Sequence, residues 1–193
     1  MPIDNSNMLK VIEEFPEQCK TALELPKGMS VSGKVDKIVV IGMGGSAVGG
    51  DLLKIYMHNS KIPVFVIRDY KVPNFVDENT LVFAVSYSGN TEETLSALED
   101  ATRKKAKIVA VTSGGSLAAR AKKVIKVPSG LQPRAALGYL FFPVLGVLAN
   151  SNIVNVKDAE IKEMLDVLSK TNDFKITGEK IVFAIDRKGE ILT

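Results

Sequence analysis

Leu81-Val82-Phe83-Ala84-Val85-Ser86-Tyr87-Ser88-Gly89-Asn90-Thr91-Glu92-Glu93-Thr94-Leu95 is the stretch on which the fold turns. Its first five residues are apolar and rich in valine and phenylalanine, the signature of a strand buried on both faces. Ser86, Ser88, Gly89, Asn90 and Thr91 follow at once, and Glu92, Glu93, Leu95, Leu98 and Ala101 then return at helical spacing. The polar turn therefore ends a strand and opens a helix. A helix N-terminus carries unpaired N–H groups and the positive end of a dipole, which together favour an anion. Three hydroxyls and a glycine at that place suit a phosphate, because hydroxyls donate and glycine lets the backbone come close. Ser88 or Thr91 equally suits a plain helix cap, and the turn alone does not separate the two readings.

Working outward, Lys37-Ile38-Val39-Val40-Ile41 is a second apolar strand, followed by Gly42-Met43-Gly44-Gly45-Ser46-Ala47 and a helical pattern over 48–59. Gly42, Gly44 and Ala47 match the dinucleotide fingerprint, with alanine as its permitted last residue, and Asp69 stands 22 positions beyond Ala47. Ser46 and the hydroxyl-rich loop at 86–91 argue against that reading. Two such loops, each after a strand, point instead to a small phosphorylated ligand held between strand ends. No Gly-Lys-Ser/Thr sequence occurs, so a Walker-type phosphate loop is excluded.

Further strands are expected over 62–67, 107–112 and 124–128, with helices over 91–105 and 116–122 between them. Short apolar strands alternating with helices predict an α/β fold, a parallel sheet of five strands with helices on both faces. Ligands of such folds bind at the carboxyl ends of the strands, where the loops 42–46, 86–91 and 112–116 all open. Residues 1–30 read as a helical arm interrupted at Pro16, suited to cover a sheet edge or to pack on a partner subunit. The apolar run 135–149, broken by Pro143 and two glycines, is too short for a membrane span and reads as a buried helix. Arg134 precedes it as a fixed cation near the strand ends, a residue that an ordinary surface ion pair would also explain.

A chain of 193 residues with 46% hydrophobic and 24% charged residues is long enough for one sizeable core. A net charge of +3 gives no reason to expect nucleic acid, and no apolar N-terminal run suggests a signal peptide or a membrane. One cysteine, Cys19, excludes an internal disulfide and fits the cytoplasm. With one cysteine and one histidine, His58, no metal ligand spacing exists, and no cofactor is called for. His58 reads as a surface residue at a helix end, and Glu93 as a first-turn carboxylate; nothing marks either as a catalytic base.

Gly-Met-Gly-Gly-Ser at 42–46, Ser-Tyr-Ser-Gly-Asn-Thr-Glu-Glu-Thr at 86–94, Thr-Ser-Gly-Gly at 112–115 and Pro-Arg-Ala-Ala-Leu-Gly-Tyr at 133–139 resemble a sugar isomerase (SIS) domain. The resemblance is closest to the N-terminal domain of the bifunctional phosphoglucose/phosphomannose isomerases. It implies a flavodoxin-like αβα sandwich in which Ser86, Ser88 and Thr91 hold a sugar phosphate, Gly45 and Ser46 touch the sugar, and Arg134 steadies the charge that develops on it. The implied substrates are fructose 6-phosphate, glucose 6-phosphate and mannose 6-phosphate, interconverted through an enediol by proton transfer between C1 and C2.

In that family a second SIS domain supplies the glutamate base, with a histidine and a lysine. Here only 43 residues follow position 150, so those groups have no counterpart and no catalytic residue is assigned. The expected organisation is a helical arm over 1–35, a phosphosugar-binding domain over 36–150, and a helix and strand over 151–193. The last segment reads as the possible start of an absent second SIS domain. Two functions remain: an aldose–ketose isomerase or its first domain, and a non-catalytic phosphosugar-binding module. Half of a two-domain fold would expose apolar surface, so a homodimer or association with a second SIS domain is expected.

Overall fold

A computed structural model describes residues 7–170. Five strands, β1 (Lys37–Ile41), β2 (Val64–Ile67), β3 (Thr80–Val85), β4 (Lys107–Thr112) and β5 (Val124–Lys126), form one sheet in the order β2-β1-β3-β4-β5. Every pairing is parallel. The helices are α1 (Met8–Glu13), α2 (Phe15–Glu24), α3 (Gly45–Tyr56), α4 (Glu92–Arg103), α5 (Gly115–Arg120), α6 (Leu137–Asn150) and α7 (Asp158–Leu168), with one 3-10 turn over Pro133–Ala135. The α/β architecture with five parallel strands is the one expected.

The chain divides into two compact units, one over Glu17–Asn155 and the other formed by Met1–Pro16 with Val156–Thr193. The second contains α1 and α7, the latter opening on Asp158 and Glu160, whose carboxylates suit a helix N-terminus. The strand expected after the helix within 151–193, read over 180–185 from its apolar run, and the first six residues of the arm lie outside the described residues.

β3 is central, and all six of its residues are buried. Side chains alternate along each strand. Val39, Ile41 and Val82 pack with Ala97 and Ala101 of α4 on one face, and Ala84 and Ala110 pack there with Leu98 and with Leu117 of α5. α3 lies on the opposite face, where a Cβ on Gly50 would stand 2.9 Å from Val40 Cβ. α6 packs beside α3 and against β4, and a Cβ on Gly49 would stand 3.1 Å from the Leu140 carbonyl oxygen. Gly50 lets α3 sit close over the Val40 side chain, and Gly49 lets α3 and α6 approach backbone to backbone. α3 begins at Gly45 rather than near residue 48, and Gly45 packs there against the Pro133–Arg134 backbone.

Candidate functional site

Adjacent strands β1 and β3 send their helices to opposite faces of the sheet, so the loops that follow them part and leave a crevice at their carboxyl ends. This is the topological switch point where ligands of open parallel sheets bind. The crevice loops run from Gly42 into α3 and from Ser86 into α4.

The two loops are joined directly: the buried Tyr87 N–H donates to Ser46 Oγ at 3.3 Å. Ser46, expected in the loop, lies instead in the first turn of α3 and is 7% exposed. Ser86 is buried as well, its Oγ 2.9 Å from Thr91 Oγ1 and accepting the Gly89 N–H at 3.1 Å. Ser88 is exposed, and its Oγ accepts the Asn90 N–H at 3.3 Å. None of these hydroxyls caps a helix. Thr91 occupies the N-cap position of α4 and Gly44 that of α3, and neither makes a side-chain cap bond. Of the two readings open at the sequence level, the plain cap is therefore not the one adopted, and the positive ends of two helices face the crevice region without side-chain caps.

A third loop stiffens the second. Ser113 donates to the Tyr87 carbonyl through its N–H at 3.0 Å and its Oγ at 2.6 Å. Leu117 N–H donates to the Gly89 carbonyl at 2.8 Å, and Ser116 N–H to Asn90 Oδ1 at 2.9 Å. Gly89 has a φ of +72°, a left-handed conformation that glycine adopts without strain. Tyr87 reaches the other way: its hydroxyl donates to the Pro128 carbonyl at 2.9 Å and accepts the Leu131 N–H at 3.0 Å. That bond pair fixes the segment leading to Arg134.

Arg134 reaches the crevice through its backbone. A Cβ on Gly45 would stand 3.0 Å from Arg134 Cα and 3.3 Å from the Pro133 carbonyl oxygen, so only glycine admits the 3-10 turn this close to α3. The Arg134 side chain is exposed and makes no ion pair or hydrogen bond among the described residues, which sets aside the surface ion pair. The structure thus brings Gly45, Ser46, Ser86, Ser88, Thr91 and Arg134 to the carboxyl edge of the sheet around β1 and β3. His58 is exposed beyond the far end of α3, its Nδ1 3.1 Å from the Ile55 carbonyl oxygen. Glu93 is half-buried in the first turn of α4, and its charge, with burial and then Glu92, holds the Tyr70 hydroxyl above the usual phenol range.

The sequence profile of the SIS domain matches residues 33–140. The chain belongs to the SIS domain family. It is 50% identical over 170 residues to the bifunctional phosphoglucose/phosphomannose isomerase of Caldicellulosiruptor bescii, covering 84% of this chain and 50% of that protein. Against the enzyme of the same description from Thermoplasma acidophilum the identity is 43% over 174 residues, covering 89% of this chain and 54% of that one. The chain spans about half the length of these curated relatives. A crystal structure from Clostridium difficile 630, of a protein described as a phosphosugar isomerase, superimposes with a TM-score of 0.75 at 19% identity, over 92% of this chain and 56% of that one. That likeness is one of fold.

Sequence reasoning missed Tyr87, within the SIS domain, and Gln18, in the arm that precedes it. Tyr87 sits between two of the quoted serines, and its roles as amide donor and as brace have no sequence signature. Gln18 had one faint signal, a neutral polar residue four positions before Ala22 on a face that is otherwise apolar. No group of three or more histidine, cysteine or acidic side chains among the described residues is placed to hold a metal ion. No helix of the described residues is long and apolar enough to cross a membrane.

Proposed function

We propose that this SIS domain binds a hexose 6-phosphate in the crevice between β1 and β3, as one half of an aldose–ketose isomerase. The reaction is the interconversion of glucose 6-phosphate or mannose 6-phosphate with fructose 6-phosphate, a step of glycolysis and gluconeogenesis. The observation that carries the reading is the α4 N-terminus, free of a side-chain cap and ringed by Ser86, Ser88 and Thr91, on a loop pinned from both sides. A loop already held in place spends little binding energy on ordering when phosphate arrives. Gly45 and Ser46 then face the sugar, and Arg134, with no protein partner among the described residues, offers the charge that steadies an enediolate.

The half-length match to the isomerases supports a second SIS half as partner, supplied by further chain or by a second copy. Val48, Leu52 and Ile55 share one side of α3 and are 40%, 37% and 68% exposed, which favours a covering partner. We place the protein in the cytoplasm, where its single thiol stays reduced. The position of His58 beyond the far end of α3 favours the second reading, a binding module that does not turn over alone.

An NMR time course of fructose 6-phosphate with the purified chain tests both. New glucose and mannose 6-phosphate signals, lost in Arg134→Ala, establish an isomerase that carries its own base. Broadened fructose 6-phosphate lines without product establish the binding half alone. Unchanged lines at millimolar ligand overturn the proposal.

A further inference from the structure

The geometry points to Gln18, in α2, as the positioning residue that sets Arg134 in the crevice, an inference that rests on the reading of Arg134 given above. Gln18 is a neutral polar side chain, 6% exposed, and its three side-chain hydrogen bonds all go to one short segment. Its Nε2 donates to the Ala135 carbonyl at 2.9 Å. Its Oε1 accepts the Gly138 N–H at 2.7 Å and the Tyr139 N–H at 3.3 Å.

Those amides open α6, whose own N-cap residue, Ala136, has no side chain able to cap. Gln18 is therefore a remote cap, reaching a helix start 120 residues later in the chain. Gly138 is the residue that admits it, since a Cβ there would stand 2.8 Å from Gln18 Oε1. The carbonyl bonded by Nε2 belongs to the residue immediately after Arg134. On its other side the same turn presses on Gly45, 3.0 Å from where a Cβ would lie. Arg134 is thus held by its backbone between the first residue of α3 and the side chain of Gln18. Its guanidinium has no protein partner among the described residues to fix it, so the backbone clamp alone decides where the charge begins.

The test uses the full chain with Gln18→Leu, Gln18→Glu, Arg134→Ala and the double variant Gln18→Leu/Arg134→Ala. Hydrogen exchange of the Gly138 and Tyr139 amides should quicken at least tenfold in Gln18→Leu while the Leu117 amide keeps its rate. Calorimetry should show fructose 6-phosphate binding about tenfold weaker in Gln18→Leu, inorganic phosphate binding unchanged, and no further loss when Gln18→Leu is added to Arg134→Ala. Gln18→Glu keeps the acceptor and should restore the Gly138 protection; it also serves if Gln18→Leu does not fold. Additive losses, or an equal loss for inorganic phosphate, would show general loosening and overturn the proposal. Failure of the unmodified chain to bind fructose 6-phosphate overturns the functional reading instead. The exchange measurement needs no ligand: faster exchange in Gln18→Leu of Gly138 together with Ala135 and Ala136, whose amides close the Arg134 turn, then still establishes Gln18 as its clamp, and unchanged exchange at Ala135 and Ala136 overturns it.

Discussion

Gly89 and Gly114 bring two crevice loops into backbone contact, so that a methyl group on Gly89 would overlap the Gly114 carbonyl oxygen and stand 2.7 Å from Thr112 Oγ1. Gly89→Ala meets this overlap and also the left-handed φ of +72°. The conformational term is about 1–2 kcal/mol and the overlap brings the total to roughly 3 kcal/mol or more. Gly44, at φ +50°, has nothing within 4 Å of an added Cβ. Gly44→Ala should therefore cost only the conformational part, about 1–3 kcal/mol for a backbone at φ 50°, ψ −127°. Thermal denaturation of the two variants side by side checks the contrast, and equal losses would reject it.

Ser46→Ala removes the acceptor of a buried amide, the N–H of Tyr87. A buried donor left unpaired costs about 1–3 kcal/mol. The urea midpoint should fall accordingly with the slope of the transition unchanged. A midpoint equal to that of the unmodified chain would show that this amide has another acceptor.

Arg134→Ala separates binding from stability. The side chain is exposed and unpaired among the described residues, so stability should change by no more than about 0.5 kcal/mol. Fructose 6-phosphate affinity should fall at least tenfold, and the residual binding should depend less on salt. Equal affinity in both proteins would remove Arg134 from the site.

Cys19 is fully buried, and desolvation pushes its thiol from the usual 9.0 up to about 12. Between these values the folded chain keeps the proton and the unfolded chain has lost it. The burial is thus neutral to stability below about pH 9, and stability falls as pH rises toward 12, by about 1.4 kcal/mol per pH unit. Cys19→Ala should flatten this part of the stability curve. At pH 8 a thiol reagent should modify the unmodified chain only after denaturant is added; rapid labelling of the native protein would contradict the burial.

The strands were legible because their ends coincide with abrupt changes of residue type. β1 and β4 have the expected limits of 37–41 and 107–112: β1 lies between Asp36 and Gly42, and β4 opens on Lys107 and ends before Ser113. β3 starts one residue earlier, at Thr80, whose Oγ1 donates to Asp77 Oδ1 and accepts the Asp77 N–H, both at 3.0 Å, so a polar residue enters a buried strand fully paired. β2 starts at Val64, after Pro63, which has no N–H to give a ladder. The start of α3 was misplaced because glycine propensity is local, whereas Gly45 packs against Pro133 and Arg134 from far along the chain. The two hydroxyl loops stood out in the sequence through residue type. Gln18 did not, since all three of its partners lie 117 to 121 residues away.

From Gln18 to Val31 the arm is tied at several points to residues 135–151. Asn150 Nδ2 donates to the Pro26 carbonyl at 2.8 Å, and Val31 N–H donates to Ser151 Oγ at 2.9 Å. On the ribosome, residues 17–31 therefore leave the exit tunnel more than a hundred residues before their partners do. Closing so long a loop is slow relative to local strand and helix formation. The loop from Ser86 to Thr91 can therefore be complete while the turn that carries Arg134 still moves freely, so the two sides of the crevice are set at different times.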